Sequence, residues 1–317
     1  MPPDTTLTLQ WNACGRDTWE GYLADAGQSS LEQSWSYGTA LSEHYGQTTH
    51  RILIVQDKQP VGMAQLFEKK LLGRVSIYRI ARGPLFLPNW TAPEEVAASL
   101  RAFASAFSIR RREFLFWLPE LTDTPYNQAL MRSLGTRRMV TGLSSAWLDL
   151  SRPEEVLEKG LSGSWRTALR KAERDAGHYD ILSGDSGLDR DMSIYDKFRR
   201  TKRFAGPSGA LVQAIAAADH TSEGVLCLTA ARGEERIAGM VIIRHGRSVT
   251  YYVSWTSDEG RALGAHNLLL WRGLQRLKEG GTNWLDLGGL NTGPGAGVAR
   301  FKLGLGPEVF TLAGTYF

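Results

Sequence analysis

Two stretches of this 317-residue chain follow one plan, and that repetition limits the folds open to it. Residues 51–82 and 225–255 each read as strand, polar turn, strand, glycine or basic turn, strand. Val61-Gly62-Met63-Ala64 in the first answers Ile237-Ala238-Gly239-Met240 in the second. Each meander leads into a helical stretch and then a short aromatic-rich strand, EFLFWL at 113–118 and NWLDL at 283–287. A meander with one apolar face must bury it, and the helix that follows is the nearest cover. The pattern predicts an α/β chain built from two copies of one mixed-sheet module. Two unrelated amphipathic meanders would look similar, so the repeat stands as an expectation.

The expected domains are 1–150 and 151–307, parted at Ser151-Arg152-Pro153, with a C-terminal strand over 308–317 available to complete the first. Further helices are expected at 17–27, 35–46, 93–109, 126–134, 163–176, 188–203, 209–218 and 263–279, and further strands at 145–150 and 179–183. An apolar content of 42% suffices for sizeable cores. No apolar run approaches the roughly 20 residues of a membrane span, and the N-terminus lacks a basic start followed by an apolar run. Cys14 and Cys227 lie far apart and read as small buried hydrophobes of a reduced, cytoplasmic protein. The net charge of +4 permits an anionic partner without requiring one. The six histidines show no metal-ligand spacing, and neither a phosphate-binding Walker loop nor a nucleophile elbow is present. No metal and no bound cofactor are expected.

The densest chemistry lies at 284–308, WLDLGGLNTGPGAGVARFKLGLGPE. A short buried strand runs into a loop with Gly288, Gly289, Gly293, Gly295 and Gly297, followed by Arg300, Phe301 and Lys302 in a short helix. Glycines let backbone N–H groups approach a ligand, and a helix start offers unpaired donors to an anion. A lysine just beyond would place a fixed positive charge beside a reacting carbonyl. A tight connection ending in a surface lysine is the plainer alternative.

The module, a meander followed by a loop, a long helix and another strand, resembles the GNAT acyltransferase fold. In that superfamily the loop before the long helix often holds the coenzyme A pyrophosphate with Arg/Gln-x-x-Gly-x-Gly/Ala. Here Arg261 and Gly264 match, but His266 stands where a small residue is needed. That departure counts against ordinary coenzyme A binding.

A narrower resemblance runs from about residue 30 to 317. Glu32-Gln33-Ser34, Arg82-Gly83-Pro84, Ser164-Trp165-Arg166, Asn267 to Trp271, Leu285-Asp286-Leu287-Gly288-Gly289 and Phe301-Lys302 with Gly304 and Gly306 occur in that order. Together they resemble the Fem family of aminoacyl-tRNA-dependent peptidyltransferases of peptidoglycan bridge synthesis, in its compact, armless form. The resemblance implies two tandem GNAT-like domains. It also implies amide bond formation between an amino acid carried on aminoacyl-tRNA and a free amine of a peptide, cell-wall precursor or small antibiotic-type acceptor. It makes Lys302 the catalytic group, with Phe301 positioning it. Substrate-binding candidates are Arg203, Tyr37, Arg82, Tyr252 and Trp255, although Arg82 also suits a structural role in its turn. Arg166, Arg170, Lys171 and Arg174 are candidates for the tRNA backbone, continued by Lys197, Arg199, Arg200 and Lys202. Glu173 and Asp175 interrupt that run, and an ordinary charged helix face remains open.

Two departures from the family pattern bear on the acceptor. Trp35 replaces a phosphate-binding lysine, and Leu85, Phe86 and Leu87 follow Pro84 where an acidic residue is usual. Both count against a UDP-linked acceptor and leave the transfer chemistry untouched. Two other classes stay open: an acyl-CoA-dependent N-acyltransferase, and a non-catalytic module that binds tRNA or a precursor.

Overall fold

The structure is a computed structural model that describes residues 7–183, 187–221, 223–291 and 295–317. The chain divides into two compact units, one of residues 1–144 with 310–317 and one of residues 145–309.

The first unit contains β1 (Thr8–Trp11), α1 (Arg16–Asp25), α2 (Trp35–Tyr45), β2 (Thr48–Gln56), β3 (Gln59–Leu71), β4 (Val75–Ala81), β5 (Leu85–Phe86), α3 (Pro93–Ser105), β6 (Glu113–Leu118), α4 (Pro125–Ser133) and β7 (Arg138–Val140). Two choices in the sequence set these helices. Ser34 caps α2 by accepting the Tyr37 N–H, and Pro93 opens α3 where a missing N–H costs nothing. The antiparallel β2–β3–β4 meander passes through α3 to β6, which pairs with β4 in parallel. Ile52, Leu66, Phe103 and Trp117 pack in the core between sheet and helices.

The second unit repeats the plan. Its elements are β8 (Ser144–Asp149), α5 (Glu154–Gly160), α6 (Gly163–Asp175), β9 (Asp180–Ser183), α7 (Leu188–Lys202), α8 (Gly209–Ala218), β10 (Val225–Arg232), β11 (Glu235–His245), β12 (Ser248–Thr256), α9 (Asp258–Ala262), α10 (Ala265–Glu279), β13 (Trp284–Asp286), α11 (Ala296–Leu303) and β14 (Glu308–Thr311). The sheet order is β14-β8-β13-β12-β11-β10-β9. The β10–β11–β12 meander again passes through a long helix to a parallel strand, β13. The expected α/β class and the doubled mixed-sheet module are what the chain forms.

Three elements differ from expectation. The strand expected to finish the first domain is β8, which pairs with β13 through Leu148 opposite Leu285 and so belongs to the second sheet. The expected C-terminal strand is two strands. Of these, β14 joins the second sheet, while β15 (Thr315–Tyr316) joins the first between β6 and β7. The expected helix over 263–279 starts at Ala265, because Gly264 adopts a left-handed φ of +67° and separates it from α9.

Candidate active site

The site grows from the place where β12 and β13 separate. The two strands pair in parallel at Ser248 with Trp284, Val249 with Leu285 and Thr250 with Asp286, and no further. On the other edge of β12, Tyr251 faces Ile242 and Val253 faces Val241, so Tyr252 is the extra residue of a bulge. Just beyond β13 the chain turns at Gly288, whose φ of +65° would strain any side chain. Asp286, buried at 1% exposure, fixes this turn. Its Oδ1 accepts the Gly288 N–H at 2.7 Å and lies 2.9 Å from Ser145 Oγ.

Helix α11 then returns Lys302 to the opening. Its Nζ donates to the Gly289 carbonyl at 2.9 Å and stands 5.5 Å from the centre of the Tyr251 ring. Only 7% of Lys302 is exposed. Burial lowers its pKa to about 8, with the Asp286 carboxylate pulling the other way. Gly293, expected in the preceding loop, lies outside the described residues.

An aromatic wall backs the lysine. The Phe301 ring centre is 5.8 Å from Trp165, 5.2 Å from His266 and 6.5 Å from Tyr251. Trp165 Nε1 donates to the Phe301 carbonyl at 3.1 Å. Gly304 makes this fit possible, since a Cβ there would lie 2.6 Å from Trp165 Cδ1. The buried Tyr251 hydroxyl donates to Ser254 Oγ and lies 3.2 Å from His266 Nε2. Burial, then the Arg261 charge, lowers the His266 pKa to about 4, so the imidazole is neutral at pH 7. The arrangement presents one cation with little water around it. Such a charge stabilises a developing oxyanion far better than a solvated lysine does.

Among the other substrate-binding candidates, Tyr252 is half-buried at the bulge. Trp255 is on the opposite face of the sheet from Tyr251. It pairs with Gly239, whose neighbours Ala238 and Met240 share the Tyr251 core, so the 239/255 pair points towards α7. A Cβ on residue 239 would lie 2.6 Å from Trp255 Nε1 and 3.2 Å from Asp191 Oδ1 of α7. The structure therefore does not bring Trp255 to Lys302.

Arg203 closes α7 in a left-handed conformation with its side chain exposed. Of the α6 cations, Arg166 caps the preceding helix through the Lys159 and Leu161 carbonyls, and Lys171 donates to the Ala262 carbonyl. Arg170 and Arg174 share one exposed face. In the first unit, Arg82 is buried and makes a two-pronged ion pair with Glu120 at 2.8 and 2.7 Å, the role of a turn clamp. Tyr37 packs edge-on against Phe67, and burial raises its pKa.

In the segment that would hold a coenzyme A pyrophosphate, four backbone donors are in use. The Gly260 N–H bonds Ser257 Oγ, and those of Arg261, Leu263 and Gly264 bond the carbonyls of Ser257, Glu259 and Arg261. His266, at the motif's small-residue position, packs its ring against Phe301. Sequence reasoning gave no place to Tyr251, Asp286 or Ser145. Asp286 lies within the Asp-Leu-Gly-Gly run, which is its sequence signal; Tyr251 and Ser145 carry none. Among the described residues, no cluster of three or more His, Cys, Asp or Glu could hold a metal, and no helix is long and apolar enough to cross a membrane.

Residues 163–303 match the family model described as an acetyltransferase (GNAT) domain. A crystal structure of FemX superposes with a TM-score of 0.79 at 14% identity, over 97% of this chain and 96% of that one. In fold, the chain is GNAT-like and similar to FemX. A tandem GNAT protein from the clavulanic acid biosynthesis pathway superposes at 0.55 with 13% identity, over 98% of both chains. L-PGS from Bacillus licheniformis gives 0.51 at 15% identity, over 80% of each. Comparison with curated proteins finds no match.

Proposed function

We propose that this protein is a cytoplasmic aminoacyltransferase. It would move an aminoacyl group from aminoacyl-tRNA to a free amine on a peptide, cell-wall precursor or small antibiotic-type acceptor. The observation that carries the proposal is the buried Lys302 ammonium at the opening between β12 and β13. The likeness in fold to FemX supports it.

The neutral acceptor amine attacks the ester carbonyl, forming the C–N bond as the carbonyl oxygen takes up negative charge. Lys302 stabilises that oxyanion. The intermediate collapses by breaking the bond to the tRNA ribose oxygen, which leaves with the proton released by the amine. The ester is already activated, so positioning and charge stabilisation suffice. Phe301 fixes the lysine through its packing on Trp165, His266 and Tyr251. Exposed Arg170, Arg174 and Arg203 are offered to tRNA and acceptor. No step is assigned to a metal or a bound cofactor, and the bonded Gly260, Arg261, Leu263 and Gly264 N–H groups, with His266 at the motif's small-residue position, speak for tRNA over coenzyme A as donor.

The test is a transfer assay with labelled aminoacyl-tRNAs and a panel of amines, run beside an acyl-CoA panel. Label reaching an acceptor from one tRNA, and lost in Lys302→Ala, supports the proposal. Coenzyme A release without tRNA-dependent transfer replaces it with the acyl-CoA alternative. Binding of tRNA with no transfer in either panel favours the non-catalytic module.

A further inference from the structure

One end of the first unit's sheet carries a surface that neither its core nor the proposed chemistry uses. The β3–β4 hairpin projects Lys69, Lys70, Leu71, Leu72 and Arg74, all exposed. Leu72 is 97% exposed. The turn from Leu71 to Arg74 closes with an Arg74 N–H to Leu71 carbonyl bond, and both central residues, Leu72 and Gly73, have positive φ (+51° and +65°). Such turns favour Asn-Gly or Asp-Gly, because a short polar side chain tolerates the left-handed conformation. A leucine there is unfavourable for the turn and contributes nothing to the core.

A second exposed aliphatic residue lies on the neighbouring segment. Ile109, 67% exposed, begins the segment Ile109–Arg111 that leads through Arg112 into β6. This segment adjoins the hairpin: Ser76, opposite Lys70 in β3, pairs with Glu113, and its N–H bonds the Arg112 carbonyl at 3.0 Å. Arg110 and Arg112 are exposed there. The nearby carboxylates are already engaged, Glu113 by Arg111 and the buried Glu68 by His50 and Ser76, with the exposed Lys70 Nζ 3.8 Å from Glu68 Oε1.

We infer that this end of the first unit docks on an anionic lipid bilayer, with Leu72 and Ile109 entering the headgroup region and Lys69, Lys70, Arg74, Arg110 and Arg112 meeting lipid phosphates. A rim of cations around aliphatic tips is the chemistry of interfacial binding. An RNA backbone would satisfy the cations equally, but it gives no partner to two protruding aliphatic side chains.

Co-sedimentation of the full chain with vesicles tests this, comparing phosphatidylcholine alone with phosphatidylcholine containing phosphatidylglycerol. Binding is expected only to the anionic vesicles, and it should weaken with salt. Leu72→Asn, which suits the turn, combined with Ile109→Ser should weaken binding by about tenfold or more. Lys69→Gln with Lys70→Gln should weaken it roughly fivefold per charge removed. Circular dichroism checks that the variants remain folded. No binding to anionic vesicles at low salt overturns the inference. So does unchanged vesicle binding by the Leu72/Ile109 variant, which would leave a purely electrostatic surface open to RNA.

Discussion

The β4–β6 seam of the first unit is paired along its length, from Ser76 opposite Glu113 to Ala81 opposite Leu118, whereas the β12–β13 seam of the second stops at Thr250 opposite Asp286. In the first unit the pairing even continues one step, because the Arg82 N–H bonds the Leu118 carbonyl at 2.8 Å. Trp117 then ties the Gly83 carbonyl, and Glu120 holds the Arg82 guanidinium. In the second unit the bulge at Tyr252 and the turn at Gly288 part the strands, and Lys302 occupies the end of the gap. One module thus appears closed and open. The closed copy spends its polar groups on holding its own turn, while the open copy leaves a buried cation where its strands part.

Substitutions should therefore act on stability in the closed seam and on turnover in the open one. The largest expected effect is that of Lys302→Ala, a loss of two to three orders of magnitude, roughly, in transfer rate at pH 7 with the fold retained. Next, Lys302→Met should change how stability depends on pH. The folded lysine has a pKa of about 8 against an ordinary 10.5, so between those values the unfolded chain binds more protons. Wild-type stability should then rise by roughly 2–3 kcal/mol from pH 8 to 10.5 through this group, and urea melts of Lys302→Met should lack that rise.

In the closed seam, Glu120→Ala removes the two-pronged carboxylate partner of the buried Arg82. About 2 kcal/mol of stability should be lost in urea melts, Glu120 being partly exposed, with KM for the acceptor unchanged. A raised KM with unchanged stability would instead return Arg82 to the substrate site. The smallest effect is expected of His266→Phe, which keeps a ring against Phe301 and removes the bond to Tyr251. Loss of one hydrogen bond predicts about a fivefold fall in kcat, seen in steady-state rates.

Much of this contrast was readable from the residues. Both meanders follow from their apolar runs and turns, and Phe301-Lys302 stood out through its place after the glycines. The opening itself was not readable, because strand pairing at residues 248–250 and 284–286 is non-local. Trp255 shows how a local rule fails. Counting by twos from Tyr251 puts Val253 and Trp255 on its face, but the extra residue at Tyr252 shifts the alternation and turns Trp255 towards α7. Strand β8 follows the first unit in sequence but joins the second sheet for a related reason, since its partner Leu285 lies far along the sequence. The broken helix start was within reach, because a glycine before a helix is a legible signal for a left-handed turn. The contact between His266 and Tyr251 joins a helix start to a strand and had no local signature.

The most direct test of a cationic Lys302 acting in the open seam is the ratio of single-turnover transfer rates, wild type over Lys302→Ala, measured against pH. Taking the ratio cancels deprotonation of the acceptor amine and loss of the ester, which affect both proteins alike. With a lysine pKa of about 8, the ratio should be large and flat below pH 7 and then fall about tenfold per pH unit above 8. A ratio that stays constant through pH 9, or one near unity at pH 7, would contradict the account.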